Sequence, residues 1–266
     1  MDRRSRTVTL AIMLATLMLI GATVQSGVAN TGAPAVHAAT TPAPRSTEPK
    51  AAASKGTKPV AAAPTEEPDT RAWATLMAGN RRFVRGEHLV RPVRELRSEL
   101  AKGQHPDVIV VTCSDSRLSP EWIFDQPLGE VFVVRTAGNL VDPIALGSIE
   151  YAVEHLHAKL LVVMGHDKCG AVDAALSGAE MPTDNLKALV AKIRPGLPTS
   201  KSGASAEATL QAAVEANVRR SAMDCIVGSP IVREHTVKGS LAVVQAVYHL
   251  STGEVEELRS LVASDE

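Results

Sequence analysis

Three short β-branched runs constrain this chain more than any other feature. Val108-Ile109-Val110-Val111, Val131-Phe132-Val133-Val134 and Leu160-Leu161-Val162-Val163-Met164 are apolar without polar alternation. Such runs read as strands buried on both faces, the habit of a parallel sheet. A helical stretch, Pro143 to His157, lies between the second and third, with Ile144, Ile149, Ala152, Val153 and Leu156 expected on its apolar side. Strand, crossover helix, strand is the order that builds a parallel sheet. Aromatic residues are 3% of the chain and apolar residues 45%, so the core must be built from Val, Leu, Ile and Ala. The expected fold class is α/β, a mainly parallel central sheet flanked by helices.

Other elements follow from spacing and punctuation. Ala72, Leu76, Met77 and Phe83 recur at helical intervals, and Val93, Leu96 and Leu100 mark a short helix ending near Gly103. A helix should follow Cys169 to about Ser177. Pro195 to Ser205 reads as a loop, then a longer helix from about Ala206 to Ile226 and a short one near Pro230 to Val237. Leu241 to Val244 opens a late strand, and Gly253 marks a turn before Val255.

The N-terminal part reads differently. Arg3, Arg4 and Arg6 precede an apolar stretch from about Val8 to Val24, and Val36-His37-Ala38 fits a signal cleavage site. Residues 1–38 are expected to be an export signal or an uncleaved membrane anchor, placing the protein in the periplasm, cell envelope or exterior of a bacterium. Residues 39–69 are rich in Ala, Pro and Thr and lack apolar periodicity, so they read as a disordered linker. Residues 70–266 are the expected catalytic domain. The net charge of -1, with no Lys/Arg run beyond the N-terminus, argues against a nucleic-acid partner.

Two strands run into reactive clusters. The first ends in Cys113-Ser114-Asp115-Ser116-Arg117, the third in Gly165-His166-Asp167-Lys168-Cys169-Gly170. In open α/β sheets, ligands bind beyond the carboxyl ends of the strands. Cys113, His166 and Cys169 offer two thiolates and an imidazole, a ligand set that suits tetrahedral Zn²⁺ with one position open. Read alone, these cysteines fit a Cys113–Cys169 disulfide in an exported chain equally well. A thiol-redox role lacks the Cys-x-x-Cys arrangement. Cys225 lies among apolar helix positions and reads as a small buried side chain.

The two clusters together resemble the signature pair of the β-class carbonic anhydrases. Further segments are similar to that family: Leu76 to Phe83, Phe124 to Asn139, Gly147 to Ala152, and Tyr248 to Val255. The resemblance implies a Zn²⁺ enzyme converting CO2 and water to bicarbonate and a proton, by attack of a zinc-bound hydroxide. It makes Cys113, His166 and Cys169 the metal ligands and Asp115 and Arg117 the catalytic pair. It assigns substrate contacts to Gly170 and to Gln126, although Gln126 has one more residue than expected before the next Gly. It implies a homodimer or tetramer, and the amphipathic Ala72–Phe83 helix is an expected docking face. The same scaffold supports carbon disulfide or carbonyl sulfide hydrolysis, and a non-catalytic zinc module is the rival from another class. Three departures stand out: no Trp precedes Cys113, Lys168 replaces a small or neutral residue, and Gln245 stands where Gly is common.

Overall fold

The computed structural model describes residues 70–198 and 203–258. The export segment, the linker and residues 199–202 of the expected loop lie outside the described residues. None of the described helices is long and apolar enough to cross a membrane.

The chain runs α1 (Thr70–Val84), α2 (Val93–Leu100), β1 (Val108–Cys113), α3 (Pro120–Ile123), β2 (Val131–Thr136), a 3₁₀ turn (Ala137–Asn139), α4 (Pro143–Glu154) and β3 (Leu160–His166). It continues through α5 (Gly170–Ser177), α6 (Asp184–Ile193), α7 (Ala206–Gly228), α8 (Pro230–Val237), β4 (Ala242–Tyr248) and β5 (Val255–Glu257). The sheet order is β2-β1-β3-β4-β5, with only β5 antiparallel. All three apolar runs are strands. Every residue of β1 and β3 is buried, as continuous apolar runs demand, whereas edge strand β2 is only partly covered.

Side-chain caps fix where the helices begin. Asp142 accepts from the Ala145 N–H at the start of α4, Ser205 from Ala208 at α7, and Ser229 from Val232 at α8. Each such cap is worth about 1 kcal/mol. Pro143 and Pro230 occupy first helical positions, where a missing N–H costs nothing.

Several expectations need correction. In α4, Ile149, Ala152 and Val153 are buried, but Ile144 is 80% exposed. It precedes Ile149 by five residues, which turns it well off the buried stripe at 3.6 residues per turn. Helices α3 and α6 were not anticipated. The α6 start was legible, because Thr183 accepts from the Leu186 N–H ahead of an apolar-periodic stretch. The apolar face of α1, an expected docking face, is partly covered by its own chain, and Ala72, Met77 and Phe83 stay half-buried. Leu76 is fully buried, and Asn80 donates to the Ile123 and Gly253 carbonyls and accepts from the Val255 N–H. Gln245, in the late strand, leaves its Oε1 buried without a hydrogen-bond partner.

Candidate active site

Parallel pairing brings the two reactive clusters together. Thr112 on β1 pairs with Met164 on β3, so Cys113 and His166 emerge at the same sheet edge. Cys169 returns to that edge through a tight turn in which Lys168 adopts φ 53°, and it occupies the position just before the first residue of α5. The Cys113 and Cys169 sulfurs and a His166 ring nitrogen lie within 4.8 Å of one another. All three residues are buried and all three cysteines of the chain are free, so the disulfide alternative does not hold in this structure.

The donor set fits a metal ion. His166 Nδ1 donates to the Asp167 carbonyl at 2.8 Å, which leaves Nε2 with its lone pair toward the cysteines. That Nε2 is buried and has no hydrogen-bond partner. An orphaned buried polar atom costs about 1–3 kcal/mol, and a cation between the three atoms removes that cost. A partner for the second nitrogen is the usual outer support of a metal-binding histidine.

Charge on the sulfurs points the same way. The adjoining Cys169 thiol, the His166 ring and the Gly138 N–H pull the Cys113 thiol down to about 4 against the effect of burial. Cys169 moves the other way, because its proton is held against the Cys113 sulfur and it is buried. Two thiols this close do not both ionise without a cation between them. Burial lowers the His166 pKa, but the Cys113 sulfur, the Asp167 carbonyl and the Asp115 carboxylate together raise it, and the net shift is upward.

Asp115 and Arg117 form the expected pair beside the cluster. Arg117 donates from Nε to Asp115 Oδ1 at 2.8 Å and from Nη2 to Oδ2 at 2.7 Å, and its backbone N–H reaches Oδ1 at 3.0 Å. This bidentate clamp holds the Asp115 carboxyl well below the usual carboxylate range. Asp115 Oδ2 lies 3.9 Å from His166 Nε2, so the carboxylate overlooks the cysteine–histidine cluster. Gly170 follows the last ligand as the exposed first residue of α5, with open space where a Cβ would project.

Gln126 is not brought to this cluster. Its Nε2 donates to the Phe124 carbonyl at 2.7 Å, and it lines a cavity of about 260 Å³ with His88, Arg91, Trp122 and Asp125. The reason is topological. Within this chain Gln126 precedes the N-terminal end of β2, while Cys113 and His166 close the C-terminal ends of β1 and β3.

Three supporting residues escaped sequence reasoning. Arg135, on β2, donates to the Cys113 carbonyl at 3.2 Å and the Asp115 carbonyl at 2.6 Å. Gly138 donates its N–H to Cys113 Sγ at 3.3 Å. Asn217, on α7, donates to the Gly138 carbonyl at 2.8 Å. Spacing carries no signal for any of them, since each reaches the site only through tertiary packing. Gly138 alone had a cue, as a Gly directly after a strand.

Known proteins give the same reading. Residues 108–255 match the family model described as carbonic anhydrase. A carbonic anhydrase of Mycolicibacterium smegmatis is 40% identical over 195 residues, covering 71% of this chain and 92% of that protein. A solved β-carbonic anhydrase of Coccomyxa, in complex with acetazolamide, superposes with a TM-score of 0.55 at 32% identity, covering 71% of this chain and 82% of that one. A structure from a study of two tetrameric β-carbonic anhydrases of Sordaria macrospora superposes with a TM-score of 0.57 at 26% identity, covering 63% and 87%. With the signature residues gathered at one sheet edge and this likeness along the chain, the protein belongs to the β-class carbonic anhydrase family.

Proposed function

We propose that the enzyme hydrates CO2 reversibly with a zinc ion held by Cys113, His166 and Cys169. A bound zinc ion supplies acidity, lowering the pKa of a water ligand from 15.7 to about 7. The remaining steps belong to the chain's own residues. The Asp115 carboxylate, ionised by its clamp, accepts a hydrogen bond from the nucleophilic water and aims the oxygen lone pair at carbon. Arg117 holds that carboxylate through two parallel hydrogen bonds, keeping it off the ligand position it overlooks. Gly170 leaves room at the pocket wall for substrate and product. Gln126 receives no role.

The observation that carries this reading is the clamped carboxylate, 3.9 Å from an orphaned, buried His166 Nε2. A structural zinc site has no need of it. Zinc content and stopped-flow CO2 hydration, measured together on wild type, Arg117→Ala and Asp115→Asn, test the assignment. All three should hold about one zinc per chain, because the three ligands remain. Both variants should lose about 10²–10⁴-fold in rate, the usual worth of an acid–base or orienting group. Full turnover in both zinc-loaded variants would sink the roles of Asp115 and Arg117.

Two further features belong to this proposal. The protein works as a dimer or as a tetramer of dimers, in keeping with its likeness to structures described as tetrameric, and light scattering tests this. It acts outside the cytoplasm, on the strength of the basic and apolar N-terminal segment. Fusing residues 1–70 to a reporter, with mass spectrometry of the mature N-terminus, tests export and separates cleavage near Ala38 from an anchor.

A further inference from the structure

Helix α7 presents an apolar face to the sheet: Ala213, Val214, Val218, Ala222 and Cys225 are all buried. Asn217 breaks this face and is 3% exposed. A buried amide without partners costs at least about 1–3 kcal/mol by mutational data, so its contacts matter. Its Nδ2 donates to the Gly138 carbonyl at 2.8 Å and lies 3.4 Å from Asn139 Oδ1. Asn139 in turn donates to Ser221 Oγ at 3.4 Å, one helical turn along α7.

The turn they grip is the one that touches the ligand sulfur. Gly138 has φ 70°, which glycine adopts freely, and Asn139 φ 46°, a left-handed conformation that costs a non-glycine residue and persists where the surroundings hold it. A side chain at Gly138 would also meet Ile193 Cδ1 at 2.8 Å. This turn aims the Gly138 N–H at Cys113 Sγ. Close packing seats α7 at the right depth, since a Cβ at Gly165 would lie 2.5 Å from Val218 Cγ2.

We infer that Asn217 is a positioning residue for the metal centre: it locks the Gly138 turn so that its N–H holds the Cys113 sulfur in place to bind the metal. The inference rests on the zinc reading above. Outer-shell partners of this kind are typically worth 10–100-fold in metal affinity or activity.

The test compares wild type with Asn217→Asp, which keeps the shape but loses the donor, and with Asn217→Ala, which adds no charge. Cys225→Ser is the control, a destabilising change two turns along the same buried face. Zinc affinity is read by competition with a chromogenic chelator. Gly138 amide exchange is read by NMR on the protein as purified, and melting temperature is followed beside both. Both Asn217 variants should bind zinc about 10–100-fold more weakly and exchange the Gly138 amide faster. Cys225→Ser should lower the melting temperature and leave both readings alone. Zinc affinity within twofold of wild type in both Asn217 variants overturns the inference, whatever happens to melting. Equal loss of affinity in Cys225→Ser overturns it too, by reducing the effect to general loosening. A wild type that takes up no zinc overturns the zinc reading and this inference together, and it does so before any variant is compared.

Discussion

Gly165→Ala is the most informative single change in the core, because one methyl group meets both the fold and the metal centre. Gly165 lies in a fully buried strand, pairs with Val247 and immediately precedes His166. Its new Cβ would sit 2.5 Å from Val218 Cγ2 and 3.3 Å from Val214 Cγ1. Carbon atoms in ordinary contact are about 3.5–4.0 Å apart, so about 1 Å must open. Val218 is fully buried and β-branched on a helix, which leaves it one strongly preferred rotamer. The sheet cannot yield, because β3 is flanked by β1 and β4. Helix α7 must therefore lift, and overpacking of this kind costs about 1–3 kcal/mol. The melting temperature should fall about 2–4 °C for each kcal/mol. Val218→Ala alone removes two buried methyl groups, about 1.6 kcal/mol at ~0.8 each, and also removes the clash. Urea unfolding of both single variants and the double variant gives the coupling. The double variant should be at least about 1 kcal/mol more stable than the sum of the singles predicts, within the usual range for contacting residues. Additive effects, or a Gly165→Ala protein as stable as wild type, would refute the steric argument.

Other outcomes follow from the same geometry. Stripping zinc with a chelator should lower the melting temperature, since ligand at 1,000 times Kd contributes about 4.1 kcal/mol; Cys113→Ser should abolish that dependence in differential scanning calorimetry. Asp125 carries a 1%-exposed side chain that pairs with Arg82 and Arg91, so Asp125→Asn leaves two guanidinium groups without their carboxylate and should cost about 3 kcal/mol in urea unfolding. Burial works to raise the Asp125 pKa, but Arg91 and Arg82 outweigh it and the folded value is lowered. Its contribution is therefore complete above the ordinary carboxylate range and is lost as pH falls through the lower folded value. Stability measured from pH 6 downward should fall less steeply in Asp125→Asn than in wild type.

Much of this protein was legible because its signals are local. Continuous Val/Ile/Leu runs carry their burial on both faces in composition alone, and the Pro143, Ser205 and Ser229 helix starts depend on backbone atoms within three residues. Asp115 and Arg117 were legible for the same reason, since an Asp-x-Arg spacing closes its clamp without the rest of the fold. Ile144 failed because an apolar side chain at the first turn of a helix need not lie on the buried stripe, five residues from Ile149 being well off it. Gln126 stands apart from Cys113 and His166 within one chain because it precedes the start of β2, and a resemblance between short segments does not say which end of a sheet they occupy.

The sequence by itself determined the strands, the crossover helix, the ligand types and the clamp, all set by residues near one another in the chain. Only the tertiary structure decided that Cys113 and His166 share one edge, that Leu76 and Asn80 of α1 pack within the chain, and that Arg135, Gly138 and Asn217 steady the site. Those contacts join residues up to 175 positions apart, as between Asn80 and Val255. They exist because parallel pairing aligns distant strand ends and buried polar groups must find partners wherever packing places them.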